Sequence, residues 1–433
     1  MSHFGVLSYR GTGHLNPLIA LSRQLVARGH RVTLFQHPEL EQRAREYGLE
    51  FFPVDIPGFS VSQSRTVKIG RKATTSIGEI RDRLNRTTTE IEAFLSEYPA
   101  AIRTAGVDTL IMGEISLAGP TVAEILRLPY FIVSISIPHN FGWAVSRSIA
   151  PSRSWLERLQ KELLEVSVLR MKGPIRRSLD RYRKHFGLGS IRKIGETFPE
   201  LAHITQWPKC LDIPRAKLPA NFFYTGPFVD KDGRAFADFP WDRLDERPLI
   251  YTSLGTTKRG DPAIFHRIAE ACSELDLQLV ISLGGRHDPA MFNHLPGNPV
   301  VVKYAPQLEL LNRAEIVITH AGPNTVLEAL MQGKPMLALP ITLDQPAIAA
   351  HLARLGVAEV LSTENRSAQQ IRVALIKMRK DSGYQDAAQN LKTAIRSLRG
   401  LDRAVDIIEE ALAKDHISGV NRAALDYVPV TTR

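Results

Sequence analysis

His320, Asn324, Thr325 and Glu328 stand close together in the stretch ITHAGPNTVLEALMQGKP, three hydrogen-bonding groups followed by a carboxylate. Imidazole, amide and hydroxyl groups gathered where a helix begins suit an anion such as a diphosphate. The first-turn N–H groups lack intrahelical partners there, and the helix dipole is positive. Gly322 belongs to the turn leading into this helix. Glu328 follows Asn324 by four residues and Thr325 by three, so it lies on the same face one turn deeper, where a carboxylate can accept from two ribose hydroxyls. Asp344 and Gln345 set an acceptor-only carboxylate beside an amide that both donates and accepts, a pairing suited to the vicinal hydroxyls of a hexose. Upstream, Tyr304, Ala305 and Gln307 follow an apolar run, so an aromatic face can stack on a base while nearby backbone groups pair with its edge. Base, ribose, diphosphate and sugar are addressed in turn.

A second constellation lies near the amino terminus, in GTGHLNP at 11–17. Taking a proton from an alcohol near neutral pH calls for a group whose reference pKa fits the task, and neutral imidazole is that side chain. His14 is therefore a candidate general base. A carboxylate able to orient the ring and stabilise the imidazolium is available at Glu114, whereas Asp108 opens the same apolar run at the opposite end.

Particular elements must position these groups. Glu315 to Thr319 reads as a short buried strand, Ala321 to Pro323 as a tight turn, and Asn324 to Gln332 as a helix ending at Gly333 with Pro335 beyond. PMLALPI is the next strand, before Asp344, and NPVVVK the one before Tyr304. At the other end of the chain, HFGVLSY, the helix from His14 to Arg28 closed by Gly29, and HRVTLFQ form a βαβ unit. Its glycine turn falls at the carboxyl edge of a parallel sheet, where open α/β folds bind ligands. The turn lacks a full GxGxxG, so a dinucleotide site is not indicated. DTLIMGE is a strand that delivers Glu114, with AGPTVAEILRLP the helix after it. Singly, each residue has an ordinary explanation: Asn-Thr as a helix cap, Glu328 as a solvated helix residue, His320 and His14 as satisfied structural histidines. Their joint spacing in a strand-turn-helix context is what favours a site.

The stretch from Tyr304 to Gln345 resembles the donor signature of the UDP-dependent glycosyltransferases, the family that includes plant, macrolide and carotenoid enzymes. The resemblance implies that Tyr304 stacks on uracil where relatives often carry Trp, and that His320, Asn324 and Thr325 contact the phosphates. It also implies that Glu328 holds the ribose and that Asp344 with Gln345 holds the transferred sugar, while Gly13 and Thr256 join the donor set. Gly13-His14-Leu15-Asn16-Pro17 is similar to the family's Gly-His-x-x-Pro, which implies that His14 is the base. Two departures stand out. Ala-Gly-Pro-Asn at 321–324 replaces the plant Cys-Gly-Trp-Asn, and Glu114 occupies the position of the family's dyad aspartate, one methylene longer. The implied fold is α/β, the GT-B arrangement of two Rossmann-like domains facing across a cleft, with the helices after about Asp402 crossing back to the first domain. SHFGV, GHLNP and RGHRVTLFQ look most like the bacterial carotenoid branch. A lipophilic acceptor is the corresponding expectation, as is an inverting transfer of a hexose, glucose in that branch.

Length and composition agree with two domains, since 433 residues exceed one ordinary core and 44% hydrophobic with 23% charged residues is a soluble globular balance. The strand-helix alternation runs from His3 to about Ser136 and again from Pro248 to Leu361, separated by the polar VDKDGR at 229–234. We expect an acceptor-binding domain over 1–228 and a UDP-sugar-binding domain over 229–433. Cys210 and Cys272 provide no disulfide framework, and neither a signal peptide nor an apolar run of spanning length is visible, so a cytoplasmic protein is expected. The residues from Ser418 to Arg433 lack periodicity. The net charge of +10 and pI near 9.6 concentrate at 152–190, where basic residues alternate with apolar ones. Such a stripe ordinarily faces a core, with peripheral contact to the inner membrane surface as the alternative. No recognition module accompanies the charge, which argues against nucleic acid. No cofactor or metal is expected beyond the UDP-sugar co-substrate. The regions 56–96 and 138–200, where the hydroxyl acceptor should bind, carry no motif of fixed chemistry. Two rival functions share the donor set: an acceptor-independent UDP-sugar hydrolase or epimerase, and a silent homologue that binds or activates a partner.

Overall fold

The computed structural model describes residues 1–9, 11–55, 77–138, 173–191, 201–213, 215, 218–230, 234, 237–255, 261–341, 344–362 and 366–417. Thr256, most of the basic stretch at 152–190, much of both acceptor regions and the segment 418–433 lie outside them. The first half of the chain builds β1 (His3–Leu7), α1 (Thr12–Ala27), β2 (Arg31–Gln36), α2 (Glu41–Glu46), β3 (Glu50–Pro53), α3 (Ile77–Ala105), β4 (Thr109–Gly113), α4 (Gly119–Leu126), β5 (Tyr130–Ser134), α5 (Gly173–His185), β6 (Ala202–Thr205) and β7 (Phe222–Tyr224). The second half builds β8 (Leu249–Ser253), α6 (Ala263–Ser273), β9 (Gln278–Ser282), β10 (Val300–Val302), α7 (Gln307–Arg313), β11 (Ala314–Thr319), α8 (Pro323–Met331), β12 (Met336–Ala338), α9 (Gln345–Arg354), β13 (Ala358–Val360), α10 (Ala368–Lys380), α11 (Gly383–Arg396) and α12 (Gly400–Ile417).

The strands form two sheets, ordered β3-β2-β1-β4-β5-β6-β7 and β10-β9-β8-β11-β12-β13, and every ladder is parallel. Parallel strands covered by helices on both faces must be apolar on both sides, which is why β1, β4, β8 and β9 are buried at every position. Each sheet has a core on either face. Phe4, Leu18, Leu21 and Ile111 pack on one side of the first sheet, and Leu7, Leu95, Met112 and Val122 on the other. In each sheet the strand order reverses once, between β1 and β4 and between β8 and β11. The carboxyl ends of strands at such a reversal open a crevice. His14 and Glu114 follow β1 and β4, and His320 follows β11, so the candidate groups emerge at those two crevices.

The two halves are interwoven. Trp207, Leu211 and Ile213, which follow β6, are buried in the core of the second sheet. Conversely α12 returns to the first, burying Ala404, Val405, Ile408 and Leu412 against the α1 side of that sheet. Polar contacts fix the docking: Gln24 donates to Asp402 at 2.8 Å, Arg28 to Asp406 at 2.7 Å and to Glu409 at 3.1 Å.

The described part of the basic stretch directs its apolar residues inward. Ile175, Leu179 and Tyr182 of α5 are buried with Ile91 and Leu95 of α3, and Arg183 is held by Glu124 at 2.7 and 3.0 Å. On α5 the apolar face covers the lobe and leaves the basic face to water, so this part of 152–190 offers no apolar face to a bilayer. No described helix is long and apolar enough to cross a membrane.

Candidate active site

The donor half begins where β11 ends. Ala321 takes the left-handed conformation at φ 63°, a turn secured by Ala321 N–H donating to Thr319 Oγ1 at 3.3 Å. Gly322 is the N-cap of α8 without a side-chain cap, and Pro323 fills the first helical position, where a missing N–H costs nothing. The helical ladder starts with Val326 N–H donating to Gly322 O at 3.0 Å. The Asn324 and Thr325 amides therefore belong to the open first turn, with the positive end of the helix dipole behind them.

His320 stands beside that turn, 8% exposed, its ring lying against the backbone of Gly255 and Gly322. A Cβ on either glycine would meet the imidazole at 2.5 Å, so both positions need glycine to seat the ring. Burial, reinforced by the nearby Arg286 charge, pushes the His320 pKa down to about 4. The imidazole is thus neutral at neutral pH, and its Nδ1 has no hydrogen-bond partner among the described residues. A buried ring nitrogen without a partner is a group that a ligand or an ordered water ordinarily satisfies. Arg286, which the sequence reading did not single out, adds a cation. Its guanidinium donates to the carbonyls of Leu254 and Gly255, no described carboxylate pairs with it, and burial lowers its pKa to about 10. Only the LGGR string after β9 hints at it in the sequence.

Glu328 lies one turn deeper, as its spacing predicts, and is 4% exposed. It is already engaged: Arg234 donates to it through two guanidinium nitrogens at 3.2 and 2.5 Å, and Gln307 Nε2 donates at 2.6 Å. Gln307 in turn accepts from Tyr251 Oη at 3.0 Å. Ribose hydroxyls reaching this carboxylate would share it or compete for it with Arg234. Tyr304 is 54% exposed, and its hydroxyl end lies over Gly285, where φ is +73° and a Cβ would sit 2.0 Å from the oxygen. Ala305 is half-buried beside Pro306, the N-cap of α7.

Contacts from the first lobe meet this half. Asn324 Nδ2 donates to Gly13 O at 2.8 Å, and its Oδ1 accepts from Gln206 Nε2 at 3.0 Å. The side chain expected at the phosphates thus also ties α8 to the loop that carries His14. Asp344 accepts from Ser136 Oγ at 2.5 Å, and Gln345 Oε1 accepts from Ile341 N–H at 2.9 Å. Gln206, Ser136 and Arg234 were not visible as site residues from sequence, because nothing local distinguishes them.

His14 lies in the first turn of α1, half-buried, with Tyr9 edge-on at 5.7 Å between centroids. The β1/β4 register, with Leu7 opposite Met112, brings the carboxyl ends of both strands to one edge, so His14 and Glu114 rise from neighbouring loops. Glu114 Oε2 accepts from Ser134 Oγ at 2.5 Å. Asp108 sits at the opposite end of β4, where it accepts from the His3 N–H at 2.8 Å, and is no candidate for the dyad.

Residues 211–416 match the family model for UDP-glucoronosyl and UDP-glucosyl transferases, and residues 6–137 match the N-terminal domain of glycosyltransferase family 28. A zeaxanthin glucosyltransferase from Pseudescherichia vulneris is 30% identical over 95% of this chain and 98% of its own. One from Pantoea ananas is 29% identical over 95% and 96%. Among solved structures, the glycosyltransferase of kitacinnamycin superposes with a TM-score of 0.75 at 22% identity, covering 95% of this chain and 99% of that one. The two parallel sheets are the GT-B fold of these enzymes. The chain therefore belongs to the UDP-dependent glycosyltransferases, which move a sugar from a UDP carrier to an acceptor.

Proposed function

We propose that this enzyme transfers glucose from UDP-glucose to a hydroxyl of a small lipophilic acceptor with inversion at the anomeric carbon, using His14 as general base and Glu114 as the carboxylate that stabilises the imidazolium. The observation that carries this reading is the 2.8 Å hydrogen bond from Asn324 Nδ2 to Gly13 O, which sets the first turn of α8 against the residue preceding His14. A diphosphate on that turn is then next to the base, the proximity that transfer needs. In the step itself the acceptor O–H proton passes to His14, the oxygen bonds to the anomeric carbon from the face opposite UDP, and the bond to the diphosphate breaks. Charge developing on the leaving UDP meets the amides of Asn324 and Thr325, the neutral His320 ring and the Arg286 guanidinium. These groups take the part a metal would otherwise play, so the reaction is proposed to be metal-independent.

The lipophilic acceptor follows from the relatives, two named as zeaxanthin glucosyltransferases and a third, 25% identical, as an oleandomycin glycosyltransferase. The test is incubation with UDP-glucose and an acceptor panel spanning carotenoid diols, macrolides and phenols, with free UDP and glycoside followed by mass spectrometry. Acceptor-dependent UDP release with a β-glycoside product supports the reading. Release that ignores the acceptor would instead indicate a hydrolase, and tight UDP binding without turnover a silent homologue.

A further inference from the structure

Ser134, the last residue of β5, and His203, the second of β6, are both buried in a region where the mechanism uses only Glu114. Ser134 Oγ is 2.5 Å from Glu114 Oε2 and 2.6 Å from His203 Nε2, so the hydroxyl bridges carboxylate and imidazole. The proton count assigns the direction of these bonds. A hydroxyl has one proton, and an ionised carboxylate can only accept, so Ser134 donates to Glu114. The Ser134 lone pair facing Nε2 then needs a donor, which a neutral His203 supplies in its Nε2–H tautomer. Burial favours that neutral form, pushing the His203 pKa down to about 4 although the Glu114 charge pulls the other way.

We propose that Ser134 and His203 are positioning residues for sugar transfer: the chain His203 Nε2–H to Ser134 Oγ–H to Glu114 Oε2 anchors one oxygen of the long Glu114 side chain and so orients its carboxylate for the imidazolium of His14. The inference rests on the reading of Glu114 as the partner of His14. A glutamate has one more rotatable bond than an aspartate, so a catalytic role for it requires an anchor of this kind to hold the geometry. Glu114 follows β4, Ser134 ends β5 and His203 lies within β6 opposite Ile132, so the chain is built on three adjacent strands of the sheet.

The experiment measures kcat, KM for UDP-glucose and urea stability for Ser134→Ala, Ser134→Thr and His203→Leu, each alone and with Glu114→Gln. The expected result is a fall in kcat of roughly 10-fold for Ser134→Ala with KM within about twofold, less than the roughly 100-fold that a full misplacement brings. Ser134→Thr, which keeps the hydroxyl, should recover most of the rate. In the Glu114→Gln background Ser134→Ala should add no further loss, because the group it positions is gone. Should Ser134→Ala fail to fold, His203→Leu carries the same expectations of reduced kcat and non-additivity. Wild-type kcat in Ser134→Ala or His203→Leu while Glu114→Gln is impaired overturns the proposal and leaves the dyad standing, as do losses that simply multiply. Wild-type kcat in Glu114→Gln removes the dyad itself, and the proposal with it.

Discussion

Replacing Arg234 with alanine should make the protein less stable and yet bind UDP more tightly. Glu328 is buried and held by two guanidinium bonds at 3.2 and 2.5 Å and by Gln307 at 2.6 Å. Deleting one partner of a fully buried ion pair costs about 3–5 kcal/mol. The Arg234 side chain is 32% exposed, however, so water can reach the vacated carboxylate and Gln307 still donates to it. The cost then falls to about 1–3 kcal/mol of unfolding free energy. On the proposed donor site, ribose hydroxyls compete with Arg234 for Glu328, and a displaced guanidinium regains part of its loss as hydration. Removing that competition should tighten UDP binding by about 1–2 kcal/mol, or roughly 5- to 30-fold in Kd. Isothermal calorimetry with UDP, paired with urea melts in the presence and absence of saturating UDP, measures both quantities. A variant that binds UDP as the wild type does, or more weakly, would refute the idea that Arg234 and the ribose compete for one carboxylate.

Two further outcomes follow from the donor half and from the buried histidines. Glu328→Ala and His320→Ala should each weaken UDP by about 1–3 kcal/mol, by removing a ribose acceptor and a phosphate-side hydrogen bond, and unchanged calorimetric affinity in both would dismiss the donor assignment. His203 and His320 have pKa values near 4 in the folded protein, below the free value, so between about pH 6.5 and 4 the unfolded chain binds more protons. Stability is therefore flat above about pH 6.5 and declines as the pH falls towards 4, by at most about 3 kcal/mol per histidine. His351, also lowered by burial, acts in the same direction. Urea melts across that range check the slope, and a flat profile down to about pH 5 would contradict the assigned environments.

The donor strand, turn and helix were legible because their signals are local: an apolar run, a Gly-Pro turn and a helical repeat within one stretch of chain. Glu328 falls one turn behind Asn324 because helical geometry requires it, and the βαβ unit around His14 follows from the same kind of periodicity. What the sequence hid is everything that joins distant segments. Arg234 on Glu328, Gln206 on Asn324, Ser136 on Asp344 and Asn324 on Gly13 are separated by 94, 118, 208 and 311 positions, and no repeat or spacing encodes such pairs. Glu328 consequently read as an open ribose ligand, whereas it is already occupied by a guanidinium from the segment between the sheets. Asn324 read as a phosphate ligand alone, whereas its amide is also a link between lobes. Trp207 was equally illegible, since β6 belongs to the first sheet while the tryptophan that follows it is buried in the core of the second.

The central claim is that His14 removes the acceptor proton while the second lobe holds the nucleotide. Single-turnover transfer and UDP affinity, measured side by side for wild type and His14→Ala, test it most directly. The rate in the variant should be lower by roughly 100- to 10,000-fold, the usual worth of a general base, with the Kd for UDP within about twofold. Transfer at the wild-type rate near neutral pH would contradict it.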